Sequence, residues 1–188
     1  MDELTQLLVE ARDGDEIALA AFIRRSQPEI WRFCAHLVGR NHADDATQET
    51  YLAAWRALPS FRGDSSARTW LLVIARRTAM RLGRRQLRLS ELDRTSLANS
   101  KAPDPASWTE ISSLITQLDN DRRLAIILTQ ILGLSYAEAA EVCGCALGTI
   151  RSRVARAREE LLTWGTVRDE SASPDRCVAT CASIFARD

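Results

Sequence analysis

Hydrophobic residues recur along this chain at intervals of three and four positions, which is the spacing of one face of an α-helix. One such run extends from Leu19 to Leu37. Pro28 lies inside the run, at a position where a new helix can begin. The pattern therefore predicts two antiparallel helices that are separated near Ser26.

Two more helices are predicted before residue 89. The segment NHADDATQETYLAAWRAL, residues 41–58, has helical spacing and is ended by Pro59. A turn-like stretch, FRGDSSAR at 61–68, separates it from TWLLVIARRTAMRLGRR at 69–85. That last helix is apolar on almost all sides at first and arginine-rich afterwards, which predicts one buried end and one end that faces solvent or phosphate. The apolar side of the 41–58 helix is predicted to consist of Ala46, Leu52, Trp55 and Leu58.

A polar stretch without sustained periodicity divides the chain into two helical blocks and predicts a linker. The second block opens with Ser107 and Glu110, which have the spacing of a capping box, and continues with helices at 108–118 and 119–133. The predicted fold is all-α, with two small helical domains joined by a flexible linker. The predicted segments are a first domain at 1–89, the linker at 90–106, a second domain at 107–164 and a tail with a short helix at 165–188.

The second block ends in a short helix, a glycine turn and a longer helix. Ser135 and Glu138 form another Ser-x-x-Glu start, here for YAEAAEVC, and Gly144 ends that helix. This is the pattern of a helix-turn-helix, in which the second helix enters the major groove of DNA. At about 100° per residue, the inner stripe of that second helix is predicted to consist of Ile150, Val154, Ala157 and Leu161.

The formal net charge of the chain is zero, but its charges are segregated. Residues 1–60 carry ten acidic and six basic side chains, whereas residues 61–88 carry eight arginines and one aspartate. Lys101 is the only lysine, so nearly every cation is an arginine, whose planar fork suits both phosphate and guanine. Because screening limits charge interactions to about 10 Å, a local basic segment attracts phosphate whatever the total charge. The local basic segments predict a nucleic-acid partner. Genome composition is an alternative explanation for the preference for arginine over lysine.

The outer side of the last helix carries the residues predicted to contact DNA. Arg151 and Arg156 are predicted to read guanines, because a guanidinium can donate two hydrogen bonds to that base. Thr149, Arg153 and Arg158 are predicted to hold phosphates. Ser152 and Ala155 complete the outward-facing surface of this helix.

Several classes of protein are excluded on the sequence. No apolar run reaches the roughly 18 residues that span a bilayer, and the acidic start lacks the features of a signal peptide, so the protein is predicted to be cytoplasmic without membrane insertion. Five cysteines are an odd number and do not indicate a secreted disulfide framework. Neither histidine lies beside a credible nucleophile, and there is no glycine-rich phosphate loop or HExxH motif. We therefore predict no enzymatic activity and no cofactor.

Three segments, in this order, carry a resemblance to a known family. DDATQETYLAAW is followed by FRGDSSARTWLLVIARRTAMRLGRR and then by LGLSYAEAAEVCGCALGTIRSRVARAREEL. Over residues 15–88 and 107–163, the chain resembles the extracytoplasmic-function (ECF) class of bacterial sigma factors. The resemblance implies a transcription initiation factor that binds core RNA polymerase and directs it to specific promoters. Its helix-turn-helix would recognise the −35 element, and its N-terminal domain would recognise and melt the −10 element.

The resemblance also implies partners and the residues that bind them. The acidic helix would bind the clamp helices of the polymerase β′ subunit, and the β flap, promoter DNA and an anti-sigma factor are further partners that the family implies. Tyr51 stands where many members have phenylalanine. The polymerase-binding residues implied by the motif are Asp44, Asp45, Gln48 and Glu49.

For the −10 element, the resemblance implies that the FRGDSSARTW loop captures a flipped base. Base capture offsets the unstacking cost of a few kcal/mol with new stacking and hydrogen bonds. The pocket or its support would consist of Phe61, Asp64, Ser65 and Trp70, although Trp70 is also predicted to lie in the core. The DNA backbone would be held by Arg62, Arg68, Arg76, Arg77, Arg81, Arg84 and Arg85. Many members have asparagine at the position of Arg77, which is a departure from the family pattern.

Two alternatives remain open from the residues alone. The first is a stand-alone helix-turn-helix regulator that binds DNA without polymerase. The second adds a metal- or redox-responsive function, because thiolates are soft ligands for zinc or cuprous ion. Small hydrophobic packing by free cysteines is the more common role and is the one we favour here. The four cysteines of this alternative site are Cys143, Cys145, Cys177 and Cys181.

Overall fold

The computed structural model describes residues 2–92 and 114–169, with side chains described for 2–85 and 114–164. All regular elements of these residues are helical, so the predicted all-α class is confirmed. The chain divides into two compact units, Met1–Leu97 and Ala98–Asp188. Of the described helices, none is long and apolar enough to cross a membrane.

Within residues 2–92, four helices form the first unit: α1 (Glu3–Arg12), α2 (Glu16–Val38), α3 (Ala43–Ala57) and α4 (Ala67–Leu92). Short 3-10 turns at Arg40–His42 and Leu58–Ser60 flank α3. Helices α1 and α2 begin at the aspartate caps Asp2 and Asp15, whose carboxylates accept hydrogen bonds from free backbone N–H groups. The four helices pack around one core, whose largest buried side chains include Leu8, Phe22, Ile30, Phe33, Leu71 and Leu72.

The predicted break near Ser26 is wrong, because α2 continues from Glu16 to Val38 with Pro28 inside it. A proline in a helix interior costs about 3 kcal/mol. Burial of a large apolar side chain is worth about 1.5–3 kcal/mol, and Phe22, Ile30 and Phe33 are all buried on both sides of the proline. A continuous helix keeps these side chains on one core-facing stripe, whereas a break would remove part of the stripe from the core.

The predicted apolar side of α3 is partly wrong. Ala46 and Leu58 are buried, but Leu52 and Trp55 are 51% and 59% exposed. At about 100° per residue, Leu52 and Trp55 lie on the side of α3 opposite its buried stripe. Small side chains and two threonines form that stripe instead, because each threonine hydroxyl donates to a carbonyl four residues earlier and leaves no unpaired donor in the core. The buried residues of α3 are Ala43, Ala46, Thr47, Thr50 and Ala54.

Within residues 114–169, the second unit contains helical residues 114–117 and three longer elements. Helix α5 (Asn120–Ile126) continues into a π-helical turn at Ile127–Ile131, and α6 (Tyr136–Cys143) and α7 (Leu147–Asp169) follow. The helix predicted at 119–133 is therefore present, with a local widening of its last turn. The core includes Leu118, Ile126, Ile127, Leu128, Val142 and Ile150.

Some sequence predictions fall outside the described residues. The proposed Ser107–Glu110 capping box lies there, and so do most of the linker at 90–106 and the tail from 170 onwards. Helix α7 extends to Asp169, a few residues beyond the end predicted for the second domain.

His36 makes the stability of the first unit depend on pH. Burial, aided by the nearby charge of Arg32, lowers its pKa to about 4, whereas an unfolded histidine has a pKa of about 6.5. Between these two pKa values, the unfolded chain binds more protons than the folded one. The contribution of His36 to the free energy of unfolding is therefore fully present above pH 6.5 and is lost as the pH falls towards 4. Between pH 6.5 and pH 4, we expect His36 to lower the free energy of unfolding by about 2–3 kcal/mol.

Urea unfolding at pH 7, 5.5 and 4.5 measures this effect. The variant His36→Gln should show a shallower loss of unfolding free energy than the wild type. His42→Gln is the matched control, because it removes a histidine and leaves His36 in place. Equal pH dependence in the wild type and in His36→Gln would show that His36 does not carry it.

Candidate nucleic-acid and partner interfaces

Helices α6 and α7 form the predicted helix-turn-helix. Ser135 caps α6 in a full capping box: its hydroxyl accepts from the Glu138 amide at 3.2 Å, and the Glu138 carboxylate accepts from the Ser135 amide at 2.8 Å. Gly144 ends α6 with φ 64° and ψ 41°, the left-handed conformation that glycine adopts without a Cβ clash. Ala139 and Ala140 are buried, as close helix approach requires.

The capping box predicts a measurable loss of stability when the Ser135 hydroxyl is removed. Ser135→Ala should lower the unfolding free energy by about 1 kcal/mol, because one N-terminal amide of α6 loses its acceptor. Chemical denaturation of the wild type, Ser135→Ala and Ser135→Thr measures the effect. Ser135→Thr keeps the hydroxyl and should stay close to the wild type; an alanine variant as stable as the wild type would contradict the assigned role of the cap.

The inner stripe predicted for α7 is present. Ile150, Val154, Ala157 and Leu161 are all buried against the rest of the unit. The opposite side of α7 carries four exposed side chains, which we call the outward group: Arg151, Ser152, Ala155 and Arg156.

Two other arginines of α7 lie beside the outward group and contact the α5 segment, by which we mean α5 with the π-helical turn that follows it, residues 120–131. Arg153 is ion-paired with Asp121, and its guanidinium also lies 3.7 Å from the Cys145 sulfur. Arg158 donates to the Gln130 side-chain oxygen at 3.1 Å. Both arginines are only half-exposed, as is Thr149. The structure therefore separates the two arginines predicted to read bases from the two predicted to hold phosphates.

Helix α3 presents an exposed face of mixed acidic and apolar character. Asp45 and Gln48 are exposed, and Glu49 is half-exposed. Leu52 and Trp55 continue the same face within about 60° of one another around the helix axis. One side of Trp55 also lines a small apolar pocket with other first-unit side chains. We name this set the α3 face: Asp45, Gln48, Glu49, Leu52 and Trp55.

Asp44, the remaining candidate for polymerase binding, makes contacts within the protein. The indole nitrogen of Trp31 donates to its carboxylate at 2.8 Å, and Arg40 lies 5.9 Å from the centre of the Trp31 ring. These contacts join the start of α3 to α2. Asp44 thus lies on the edge of the α3 face and is not part of it.

The loop before α4 is anchored by an aromatic pair. Phe61 is 3% exposed, and its ring centre lies 5.2 Å from that of the half-buried Trp70. Arg12 donates to the Phe61 carbonyl at 3.1 Å. Phe61 and Trp70 therefore pack beneath the loop and support it. Phe61 belongs to the core, whereas Trp70, which was also predicted to lie there, is only half-buried.

The polar loop candidates divide into exposed and paired residues. Arg62 and Asp64 are exposed and lie 3.0 Å apart as an ion pair, and Ser65 is half-exposed beside them. Arg68 instead donates to both carboxylate oxygens of Glu29, with its Nε atom at 3.0 and 3.1 Å from them. In this structure Arg68 fastens α4 to α2.

The arginines of α4 line its solvent side after the first turns. Arg77, Arg81, Arg84 and Arg85 are exposed, and Arg76 is half-buried. Arg81 is ion-paired at 2.9 Å with Glu49 of the α3 face. The first turns of α4 are buried through Leu71, Leu72 and Ala75, as the amphipathic change along this helix predicts.

Comparisons with known proteins identify the family. The family model "Sigma-70 region 2" matches residues 22–89, and "Sigma-70, region 4" matches residues 108–161. A relative from Mycobacterium tuberculosis, ECF RNA polymerase sigma factor SigC, is 46% identical over 167 residues that cover 86% of this chain and 90% of the relative. The chain belongs to the ECF family of RNA polymerase sigma factors.

Other relatives agree with this assignment. The ECF RNA polymerase sigma-E factor of Escherichia coli K12 is 35% identical over 180 residues, covering 85% of this sigma factor and 94% of the relative. Bartonella quintana RpoE, solved in complex with the anti-sigma factor NepR, matches with a TM-score of 0.68 and 31% identity over 84% of this chain and 98% of that one. CnrH, solved with the cytosolic domain of CnrY, matches with a TM-score of 0.69 and 29% identity, covering 91% and 100%.

The family assignment makes this protein a transcription initiation factor and favours that function over the stand-alone regulator. Both matched regions fall on the two helical units described above. The resemblance found in the sequence is thereby confirmed. The roles of individual residues remain predictions.

Of the four cysteines of the alternative metal or redox site, two lie within the described residues and two lie outside them. Cys143 is buried in α6, and Cys145 is half-buried in the turn of the sigma factor's helix-turn-helix. Cys177 and Cys181 lie outside the described residues. In the part of the chain that the structure describes, no three His, Cys, Asp or Glu residues are grouped to hold a metal ion.

Two residues of the α3 face, Leu52 and Trp55, were missed as interface candidates. They were read as core because they are large and apolar. The signal that identifies them is the angular position of Leu52 and Trp55 around α3, opposite Ala46 and Thr50.

Proposed function

We propose that the α3 face binds the β′ clamp helices of core polymerase, that the loop before α4 and the arginines of α4 hold the −10 element, and that α7 reads the −35 element. The observation that carries the proposal is the α3 face itself: acidic and apolar side chains stand exposed together on a helix whose opposite side is fully buried. A monomeric helix gains nothing from exposing Trp55 and Leu52, whereas a partner surface would cover them.

The composition of the α3 face fits a basic helical partner. Asp45 and Glu49 supply carboxylates one helical turn apart, and Gln48 supplies an amide between them. Trp55 is the type of large aromatic residue that contributes most to binding energy at protein interfaces. Acidic groups set the orientation and association rate, and the apolar end supplies buried area. Asp44 contributes by fixing the start of α3 through Trp31.

For the −10 element, we propose that the exposed polar side of the loop contacts the flipped base. Asp64 and Ser65 supply hydrogen-bonding groups there, while Phe61 and Trp70 hold the loop in place from beneath. The exposed arginines of α4 follow the DNA backbone, where each phosphate contact adds salt-dependent affinity. Arg62 belongs to the same exposed loop, whereas Arg68 supports the site through Glu29.

For the −35 element, we propose that Arg151 and Arg156 read base edges, with Ser152 and Ala155 between them. All four are exposed along one side of α7. Arg153 and Arg158 are drawn to the rim by Asp121 and Gln130, where they and Thr149 reach the phosphates that border the groove. Base reading and backbone positioning thus fall to different arginines of one helix.

Further partners follow from the same proposal. We place the site of action in the cytoplasm, with the polymerase, and assign the β flap contact to the second unit by resemblance to the family. An anti-sigma factor is a proposed regulator, supported by the structural similarity to RpoE in its complex with NepR. Such a regulator would cover surfaces that polymerase or DNA otherwise occupies.

Reconstituted transcription tests the proposed function. Purified bacterial core polymerase is combined with genomic promoter fragments, with and without this sigma factor, and the transcript starts are mapped. We expect specific starts only when the protein is present. Binding to DNA without any initiation by its cognate core would overturn the proposal and restore the stand-alone regulator.

A further inference from the structure

We propose that Glu49 holds Arg81 in the free protein and that binding of polymerase to Glu49 releases Arg81 for DNA. Glu49 would then have two roles, as a polymerase contact and as a positioning residue for a DNA-binding arginine. This inference rests on the function proposed for the α3 face. It adds a coupling between the two binding surfaces of the first unit.

The contact joins two surfaces that the proposed function keeps separate. The Nη2 atom of Arg81 on α4 lies 2.9 Å from a carboxylate oxygen of Glu49 on α3. The two side chains are 64% and 44% exposed, so an external partner can reach both. Arg81 is also singular among its neighbours: Arg76, Arg77, Arg84 and Arg85 form no ion pair with any described residue.

The Glu49 carboxylate binds two cations at once less strongly than it binds either one alone. The Arg81 guanidinium and a cation of the polymerase therefore compete for it. While Glu49 is bound to Arg81, the positive charge of Arg81 is partly neutralised and its Nη2 donor is occupied by the carboxylate. A cation of the polymerase that binds Glu49 removes this restraint. Exposed ion pairs are weak enough for such an exchange, and their strength corresponds to about a two- to fivefold effect on an equilibrium.

The coupling must act in both directions. If polymerase binding raises the affinity of the first unit for DNA by a given factor, DNA binding raises its affinity for polymerase by the same factor. Free sigma factor would therefore bind DNA less tightly than its arginine content suggests. Assembly with polymerase would recover that lost affinity.

The test uses the full-length protein and a labelled random-sequence duplex, with binding followed by fluorescence anisotropy over a range of salt concentrations. Glu49→Gln should bind about two- to fivefold more tightly than the wild type. The slope of log K against log salt should steepen by up to about 0.9, the value for one added phosphate contact. Asp45→Asn is the charge-matched control: it removes one negative charge from the same face, at a residue without an ion pair among the described residues.

Arg81→Gln completes the cycle. It should cost more DNA affinity in the Glu49→Gln background than in the wild type, because only there is Arg81 released. The inference is overturned if Glu49→Gln and Asp45→Asn give the same slope. It is equally overturned if Arg81→Gln costs the same affinity in both backgrounds.

A second measurement adds core polymerase and separates this inference from the function on which it rests. The cost of Arg81→Gln for DNA binding should be about two- to fivefold larger with core than without it. Equal costs would overturn release by polymerase. A core affinity unchanged by Glu49→Gln would instead remove Glu49 from the proposed interface, whatever the DNA measurements on the free protein give.

Discussion

Replacing both Asp45 and Glu49 by lysine is expected to abolish promoter-dependent transcription and to weaken binding to core polymerase about a hundredfold or more. Both residues lie on the α3 face, and their carboxylates would meet a basic partner in the proposed complex. Reversal places like charges opposite each other, which costs several kcal/mol in an interface. The rest of the first unit should fold normally, because neither side chain is buried.

Binding of labelled sigma factor to purified core polymerase measures this loss directly, and transcription from a promoter used by the wild-type holoenzyme measures its consequence. A matched pair of single substitutions tests whether the effect depends on where the acidic residue lies in the first unit. Asp45→Lys and Glu16→Lys both reverse an exposed acid in the first turn of a helix, so both lose the same favourable interaction with the helix dipole. Only Asp45→Lys should weaken core binding; equal losses at both positions would remove the α3 face as the polymerase site.

Replacing both Arg151 and Arg156 by alanine is expected to remove recognition of the −35 element. A bidentate contact between arginine and guanine contributes about 1–3 kcal/mol of discrimination, so the pair together should account for about 2–6 kcal/mol. Both side chains are exposed on α7 and have no ion pair with a described residue, so their loss should leave the fold intact.

Holoenzyme binding to a transcribed promoter, compared with the same promoter carrying a scrambled −35 element, measures that discrimination. The double alanine variant should bind both fragments alike. The double lysine variant keeps the charges but lacks the forked donors, so it should keep the salt dependence of binding and lose most of the discrimination. Discrimination that survives in the alanine variant would place base reading elsewhere.

Arg153 and Arg158 provide an informative contrast. Because they contact Asp121 and Gln130, their removal should affect how α7 is held against the α5 segment as well as the contact with DNA. Their loss should therefore weaken binding to both promoter fragments in similar proportion. This pattern differs from the selective loss expected for the outward arginines.

Many features of this fold depend on interactions between residues close in sequence, and these features were predicted from the sequence. The capping box at Ser135, the turn at Gly144 and the buried stripe of α7 depend on interactions within a few residues, so their signals lie in adjacent letters of the sequence. The order and spacing of the motifs were likewise sufficient to indicate the family. Their agreement across two domains made the function predictable.

What the sequence could not determine depends on contacts between distant residues. The continuity of α2 through Pro28 is decided by a core that buries Phe22 and Phe33 together, which outweighs the local preference for a break. The exposure of Leu52 and Trp55 is decided by which side of α3 its neighbours cover. The size and polarity of a side chain alone do not give that direction.

The same distinction holds for the arginines. Their number and helical positions follow from the sequence, and so does the attraction of each basic segment for phosphate. Which arginines already have partners was decided by the tertiary structure: Glu29 faces Arg68, Glu49 faces Arg81 and Asp121 faces Arg153, each across at least 30 residues of chain. An ion pair needs its two groups within a few ångströms of each other, and only the packing of the helices brings such distant residues that close.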